Sequence, residues 1–193
     1  MDECKPNREQ KPKPPRKITP QRLANIALNH LDRYASSAEN LRRVLERRVF
    51  KAARFHEDMD VSEAKSWIDV LIKRYVESGL LNDFAYAETR ARSLMERGSS
   101  TRLIRMKLME KGLDDASIDA AFKALQVDAP DPELFAAIKL ARRRRFGPWC
   151  DPAKRVELHD KHLAALARSG FSYDMATRIV DADSVEALEE LLN

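Results

Sequence analysis

The sequence predicts an all-α protein of three tandem three-helix repeats, forming an elongated, curved molecule. Three observations carry this. Apolar residues recur at three- and four-residue spacing along most of the chain, the period of a helix with one buried face. Ala, Leu, Arg, Glu and Lys are abundant, Gly occurs only five times, and no run of alternating β-branched residues appears, a balance that favours helix over sheet. The sequence also matches itself at an offset of 63 positions. Leu31 falls on Leu94, Ser36-Ser37 on Ser99-Ser100, Leu41 on Ile104, Leu45 on Leu108 and Arg48 on Lys111. Repetition of this kind marks modules that complete their cores by stacking on a neighbour.

Taken in order, residues 1–19 form a basic, Pro-rich tail with too little apolar surface to offset the entropy of ordering, so disorder is expected. The first repeat spans residues 20–81. Its first helix runs from Pro20 to Tyr34 with Leu23, Ile26, Ala27, Leu31 and Tyr34 on one face. Ser36-x-x-Glu39 reads as a capping box opening a second helix, with Leu41, Val44 and Leu45 inward. Asp60-x-x-Glu63 opens a third, carrying Ile68, Leu71, Ile72 and Tyr75 and ending at Gly79. The second repeat spans residues 82–128. Asp83 is the expected cap of a helix bearing Phe84, Ala87, Ala91 and Leu94. Ser99 or Ser100 caps the next, which holds Leu103, Ile104 and Leu108 and stops at Gly112. Asp114-Asp115 opens a helix with Ile118, Ala121, Phe122 and Leu125, where acids suit the dipole.

The third repeat spans residues 129–182. Asp131-Pro132 supplies a cap and a first-turn proline. The helix that follows runs into Arg142–Arg145, and Gly147-Pro148 ends it. Trp149–Val156 reads as an insertion. A middle helix holds Leu163, Leu166 and Ala167, and Ser172 caps a last repeat helix with Ala176, Ile179 and Val180. Residues 183–193 form an acidic terminal segment, with a short helix over Ser184–Leu192.

The net charge of +4 conceals a strong asymmetry. The basic tail and an acidic end flank a middle that is itself positive, which suits nucleic acid or an acidic protein groove. No apolar stretch approaches the roughly 18 residues a membrane helix needs, so no membrane partner is expected. Cys4 and Cys150 are isolated and lack metal spacing. A reducing, cytoplasmic location is the simple inference.

Catalytic chemistry finds little support. No phosphate loop, nucleophile elbow or HExxH motif occurs. His159 and His162 lie one helical turn apart, but Asp160 is on another face and no third ligand has suitable spacing. No metal, cofactor or enzyme activity is expected. Tyr34, Trp67, Tyr75, Tyr86, Phe122 and Phe135 fit apolar stripes and read as core, whereas Trp149, between Pro148 and Cys150, reads as exposed. The better candidates are three basic clusters forming a stripe: Arg42, Arg43, Arg47 and Arg48; Arg102, Arg105, Lys107 and Lys111; and Arg142, Arg143, Arg144 and Arg145. The first two occupy corresponding middle helices, so stacking would align them. Of the last four, consecutive on a helix, at most two can face one partner.

Several ordered features together resemble the RecX family, bacterial modulators of the RecA recombinase. They are Ala27–Leu31 leading into Ser36, Glu39, Leu41 and Leu45; Gly79-Leu80-Leu81-Asn82-Asp83 with Tyr86-Ala87; Arg97-Gly98 followed by Ile104, Leu108 and Lys111-Gly112-Leu113; and Arg168-Ser169-Gly170-Phe171-Ser172-Tyr173. The resemblance covers roughly residues 20–182. Val49 departs from it where a glycine would parallel Gly112, as does Asn82 where the family often has Asp. It implies a non-enzymatic, monomeric helical-repeat protein that binds along the RecA–single-stranded-DNA filament. There it would restrain ATP hydrolysis, strand exchange and coprotease activity. A different reading of the same basic stripe is a general nucleic-acid-binding repeat, with single-stranded DNA as the direct partner.

Overall fold

The computed structural model describes residues 15–192. Ten α-helices follow one another, and the described residues contain no strand. They are α1 (Pro20–Leu31), α2 (Ala38–Ala53), α3 (Val61–Glu77), α4 (Asp83–Glu96), α5 (Thr101–Glu110), α6 (Asp115–Asp128), α7 (Pro132–Arg144), α8 (Pro152–Arg168), α9 (Tyr173–Val180) and α10 (Val185–Glu190). A 3-10 turn at Gly147–Trp149 precedes α8. Three consecutive triplets, each with a long or central middle helix (α2, α5, α8), make up the three-helix repeat.

Local chemistry fixes where the helices begin. Each of the ten starts with a side-chain oxygen accepting from an early backbone N–H, an arrangement typically worth about 1 kcal/mol per cap. Two caps differ from the sequence expectation by one residue. Ser37, not Ser36, caps α2: its Oγ accepts from Asn40 N at 3.2 Å. Glu39 is thereby too early to close a capping box and pairs with Arg42 and Arg43 instead. Asn82, not Asp83, caps α4 through Ala85 N at 3.0 Å. Asp83 is released for a different task, described below.

Residues 15–19 depart from the expected disorder. They lie against the first triplet: Ile18 is buried in its core, Lys17 pairs with Asp58 at 2.6 Å, and His56 Nε2 is 2.8 Å from the Pro15 carbonyl. The expected disorder of residues 1–14 lies outside the described residues. α1 also stops early, at Leu31, because the N–H groups of Arg33 and Tyr34 both turn back to the His30 carbonyl. That leaves Tyr34 outside the apolar stripe, 61% exposed rather than in the core. Phe84, on the first turn of α4, is likewise exposed. Trp149, read as exposed, is half-buried and packs against the core. The segment containing it became the 3-10 turn and the lengthened start of α8.

Two apolar cores form. One belongs to α1–α3 and is built around Leu23, Leu41, Leu45 and Ile68. The other runs continuously through α4–α10 and includes Ile104, Leu108, Leu125, Leu166 and Ile179. The terminal α10 is too short to persist alone, and it docks by burying Leu188 in this second core. The α7–α4 approach is so close that Gly98, at φ +73°, has no room for a side chain: an added Cβ would stand 2.6 Å from Leu140 Cβ and 2.8 Å from its backbone. Gly79 has a similar φ of +75° but open space around it.

Gly98→Ala therefore adds a backbone collision to the strain of a positive φ. It should cost more than about 2 kcal/mol in urea unfolding, against about 1 kcal/mol for Gly79→Ala. Equal losses would show that α4 and α7 can move apart freely.

His162 supplies a second test. It is buried beside the Phe146 ring, 4.7 Å between centroids, and Gly147 N donates to its Nδ1 at 3.4 Å. Burial, and then the charge of His159, lowers its pKa below the ordinary 6.5. The unfolded chain therefore binds this proton more readily. The stability that neutral His162 contributes is full above pH 6.5 and is lost as pH falls below it. His159 has the opposite sign: bonds to Asp181 and then Asp160 raise its pKa, and its contribution fades as pH rises through the raised value. His162→Gln, which keeps an acceptor for Gly147 N, should flatten the loss of the urea midpoint between pH 7 and 5.5. An unchanged slope would assign that loss elsewhere.

Candidate nucleic-acid and filament interface

The middle helices meet end to end. The C-terminal end of α5 abuts the N-terminal end of α2: Ser37 Oγ donates to the Lys111 carbonyl at 2.5 Å, Arg43 Nη1 to the Glu110 carbonyl at 2.8 Å, and Lys111 Nζ to Asn40 Oδ1 at 3.3 Å. α8 meets α5 in the same sense, with Ser100 N donating to the Ser169 carbonyl at 3.4 Å. A carboxylate from the following triplet completes each junction. Asp83 Oδ1 accepts from Ala38 N at 2.8 Å, and Glu133 Oε2 accepts from Thr101 N at 2.6 Å. Ala38 and Thr101 are both the first residues of their helices. Burial raises the pKa of Asp83 in spite of the bond from Ala38, with the Asp114 charge adding to the rise.

These junctions sort the basic stripe. Arg42 pairs with Asp69 of α3 and with Glu39. Arg105 pairs with Asp119 of α6 at 2.8 Å and lies over the Phe122 ring. Both brace a middle helix to the third helix of its own triplet. Arg43 and Lys111 belong to the α2–α5 junction. Arg142 reaches Glu189 of α10 at 3.7 Å. The remaining seven, Arg47, Arg48, Arg102, Lys107, Arg143, Arg144 and Arg145, make no ion pair among the described residues.

Two of the seven have placements that folding alone does not favour. Arg102 stands in the first turn of α5, where the helix dipole disfavours a cation and the helix supplies no acid of its own, although Glu133 of α7 reaches the same helix start. Arg145 ends α7 in the left-handed region at φ +57°, a conformation that costs an ordinary side chain about 1 kcal/mol. Arg144 shares a shallow cavity of about 310 Å³ with Arg168 and Ser169, beside the α8–α5 junction.

Sequence reasoning missed a denser group. Arg16, Arg22, Arg33 and Lys51 converge with Arg48 on one cavity between α1, α2 and the strap at residues 15–18. In sequence they lie on separate segments, Arg16 in the tail, Arg22 and Arg33 on and after α1 and Lys51 late on α2, so no single cluster signals them; only the packing of α1 against α2 gathers them. His30 lies in the same wall, and burial followed by the Arg47 charge lowers its pKa.

The two histidines considered for a metal part ways. His162 turns inward, while His159 Nε2 is 2.8 Å from Asp181 and its Nδ1 3.2 Å from Asp160. Among the described residues no group of three or more His, Cys, Asp or Glu side chains could share a metal ion. No helix among them is long and apolar enough to cross a membrane.

Comparison with known proteins agrees with this architecture. Residues 82–121, from α4 into α6, match the family model described as RecX, second three-helix domain. The chain is 40% identical over 188 residues to the regulatory protein RecX of Myxococcus xanthus, covering 95% of this chain and 99% of that one. It is 31% identical over 173 residues to that of Agrobacterium fabrum, covering 88% and 86%. In structure it resembles the crystal structure of RecX from Lactobacillus salivarius, with a TM-score of 0.55 and 23% identity over 89% of this chain and 97% of that one, a likeness that speaks to the fold. With near full-length coverage at 40% identity and a three-helix repeat that agrees in structure, this chain belongs to the RecX family of regulatory proteins.

Proposed function

We propose that this chain is a non-enzymatic regulator that binds a RecA–single-stranded-DNA filament and restrains its ATPase, strand exchange and coprotease activities. Family membership supports the recombinase as partner. One observation supports a basic surface as the means. Arg47, Arg48, Arg102 and Lys107 sit on middle helices that meet end to end, and none is used in an ion pair among the described residues. Cations left over after the fold has used its own suit an extended anionic partner, where many modest contacts add up. A monomer presenting successive middle helices would place those contacts along a filament rather than at one point.

The same cations would also suit nucleic acid alone. A general single-strand binder would bind free DNA tightly, losing affinity with salt by a slope of about 0.7 per phosphate contact. A filament regulator would bind free DNA weakly and the nucleoprotein filament well.

Reversing Arg47, Arg48, Arg102 and Lys107 to Glu together should abolish inhibition of recombinase ATPase, a loss of at least about tenfold in effective affinity, while circular dichroism stays unchanged. Inhibition retained by that variant would remove the middle-helix surface from the mechanism. Reversing Arg42 and Arg43 is a poorer test, since both hold the fold together and should lower the unfolding midpoint.

A further inference from the structure

A cavity with basic walls lies on the first triplet. It has a volume of about 390 Å³, within the range of small-molecule sites. Five cations line it (Arg16, Arg22, Arg33, Arg48 and Lys51) and no Asp or Glu does. None of the five is ion-paired among the described residues. Two buried polar atoms in its wall, Arg22 Nε and His30 Nε2, have no hydrogen-bond partner there. Buried polar groups are nearly always satisfied, so each such pair asks for a partner. An exposed helical face is expected to be polar, but a merely solvated one mixes both signs. Here the walls carry one sign only.

The cavity is also chemically graded. α1 is joined to α2 by the short turn at residues 32–37, and the strap reaches the far end of α2, where His56 Nε2 meets the Pro15 carbonyl. Arg16, next to Pro15, therefore lies toward Lys51 near the end of α2, with Arg22 and Arg48 in the same lining. At the other end are His30 and Tyr34, with ring centroids 5.3 Å apart, and Arg33. Ile18, Ile26 and Val44 contribute apolar wall between them. Tyr34 is largely exposed, so its ring face is available for stacking.

We propose that this cavity binds a nucleoside polyphosphate, with its phosphates among Arg16, Arg22, Arg48 and Lys51 and its base against Tyr34. A polynucleotide spreads one charge per residue along its length, whereas four cations around one small cavity match the three to four charges of a compact triphosphate chain. With no carboxylate in the wall to hold a divalent ion, the protein's own cations take the role magnesium has elsewhere. This goes beyond the filament-binding reading and does not depend on it; the two share Arg48 alone, which the double variants below leave intact.

The test is isothermal titration of the full chain with ATP, tripolyphosphate and a ten-residue oligothymidylate. ATP should bind one to one, at least as tightly in EDTA as with Mg²⁺. Arg22→Gln combined with Lys51→Gln should weaken it at least tenfold. Arg16→Gln with Lys51→Gln, both exposed, serves if the first pair disturbs folding. Tyr34→Ala should weaken ATP several-fold and leave tripolyphosphate unchanged. The proposal is overturned by no heat at millimolar ATP, or by affinity undiminished in both double variants. Tripolyphosphate matching ATP, or the oligonucleotide displacing ATP at lower concentration, would also overturn it.

Discussion

A helix that starts in the interior of a protein leaves backbone N–H groups with no water to bond, and this chain meets that demand from the next triplet along. Asp83 takes the first N–H of α2 and Glu133 the first N–H of α5. The carbonyls at the far end of α5 are met from the triplet before, by Ser37 and Arg43. The negative end of one middle helix thus lies against the positive start of another, so the two dipoles reinforce. Bonds of this kind are directional. They set the orientation of successive triplets more sharply than apolar contact would, and without them several part-buried backbone groups would lose their partners.

The two junctions share this polar frame but differ in what surrounds it. Between the second and third triplets the frame is embedded in apolar packing: Gly98 lets Leu140 approach, and one core runs from α4 to α10. The first triplet keeps its own core, and the named bonds of its junction are polar. Apolar burial couples neighbours cooperatively, whereas exposed hydrogen bonds contribute little each. The α4–α10 body is therefore the cooperative unit, and the first triplet is joined to it by geometry more than by buried area.

Sequence periodicity gave the helices because each buries a single stripe. The self-match of Leu41 with Ile104 and Leu45 with Leu108 exposed the repeat, and all four are fully buried. It misplaced Ser37 and Asn82 because adjacent capping residues, Ser36-Ser37 and Asn82-Asp83, are locally interchangeable; the choice is settled across the junction, where Asp83 is needed for α2. Tyr34 was misread because helical spacing continues past Leu31 in the sequence while the backbone turns at His30. The cavity cations were invisible for a related reason. Arg22 and Arg33 are single cations, Arg16 belongs to the tail and Lys51 to α2, and only tertiary packing makes them a group.

The basic stripe shows how a repeat separates scaffold from function. Where the 63-residue match holds, the matched cations do the same structural job: Arg42 and Arg105 coincide under the offset, and each ties a middle helix to the third helix of its triplet. Arg48 coincides with Lys111, yet the two diverge. Lys111 meets Asn40 of the triplet before it. Arg48 meets no such partner among the described residues and lines the cavity of the first triplet instead. Repetition explains a cation wherever a neighbour is present to receive it. Charges with no counterpart in the fold, among them Arg47, Arg48, Arg102 and Lys107, are then the ones for which an outside partner is the physical explanation.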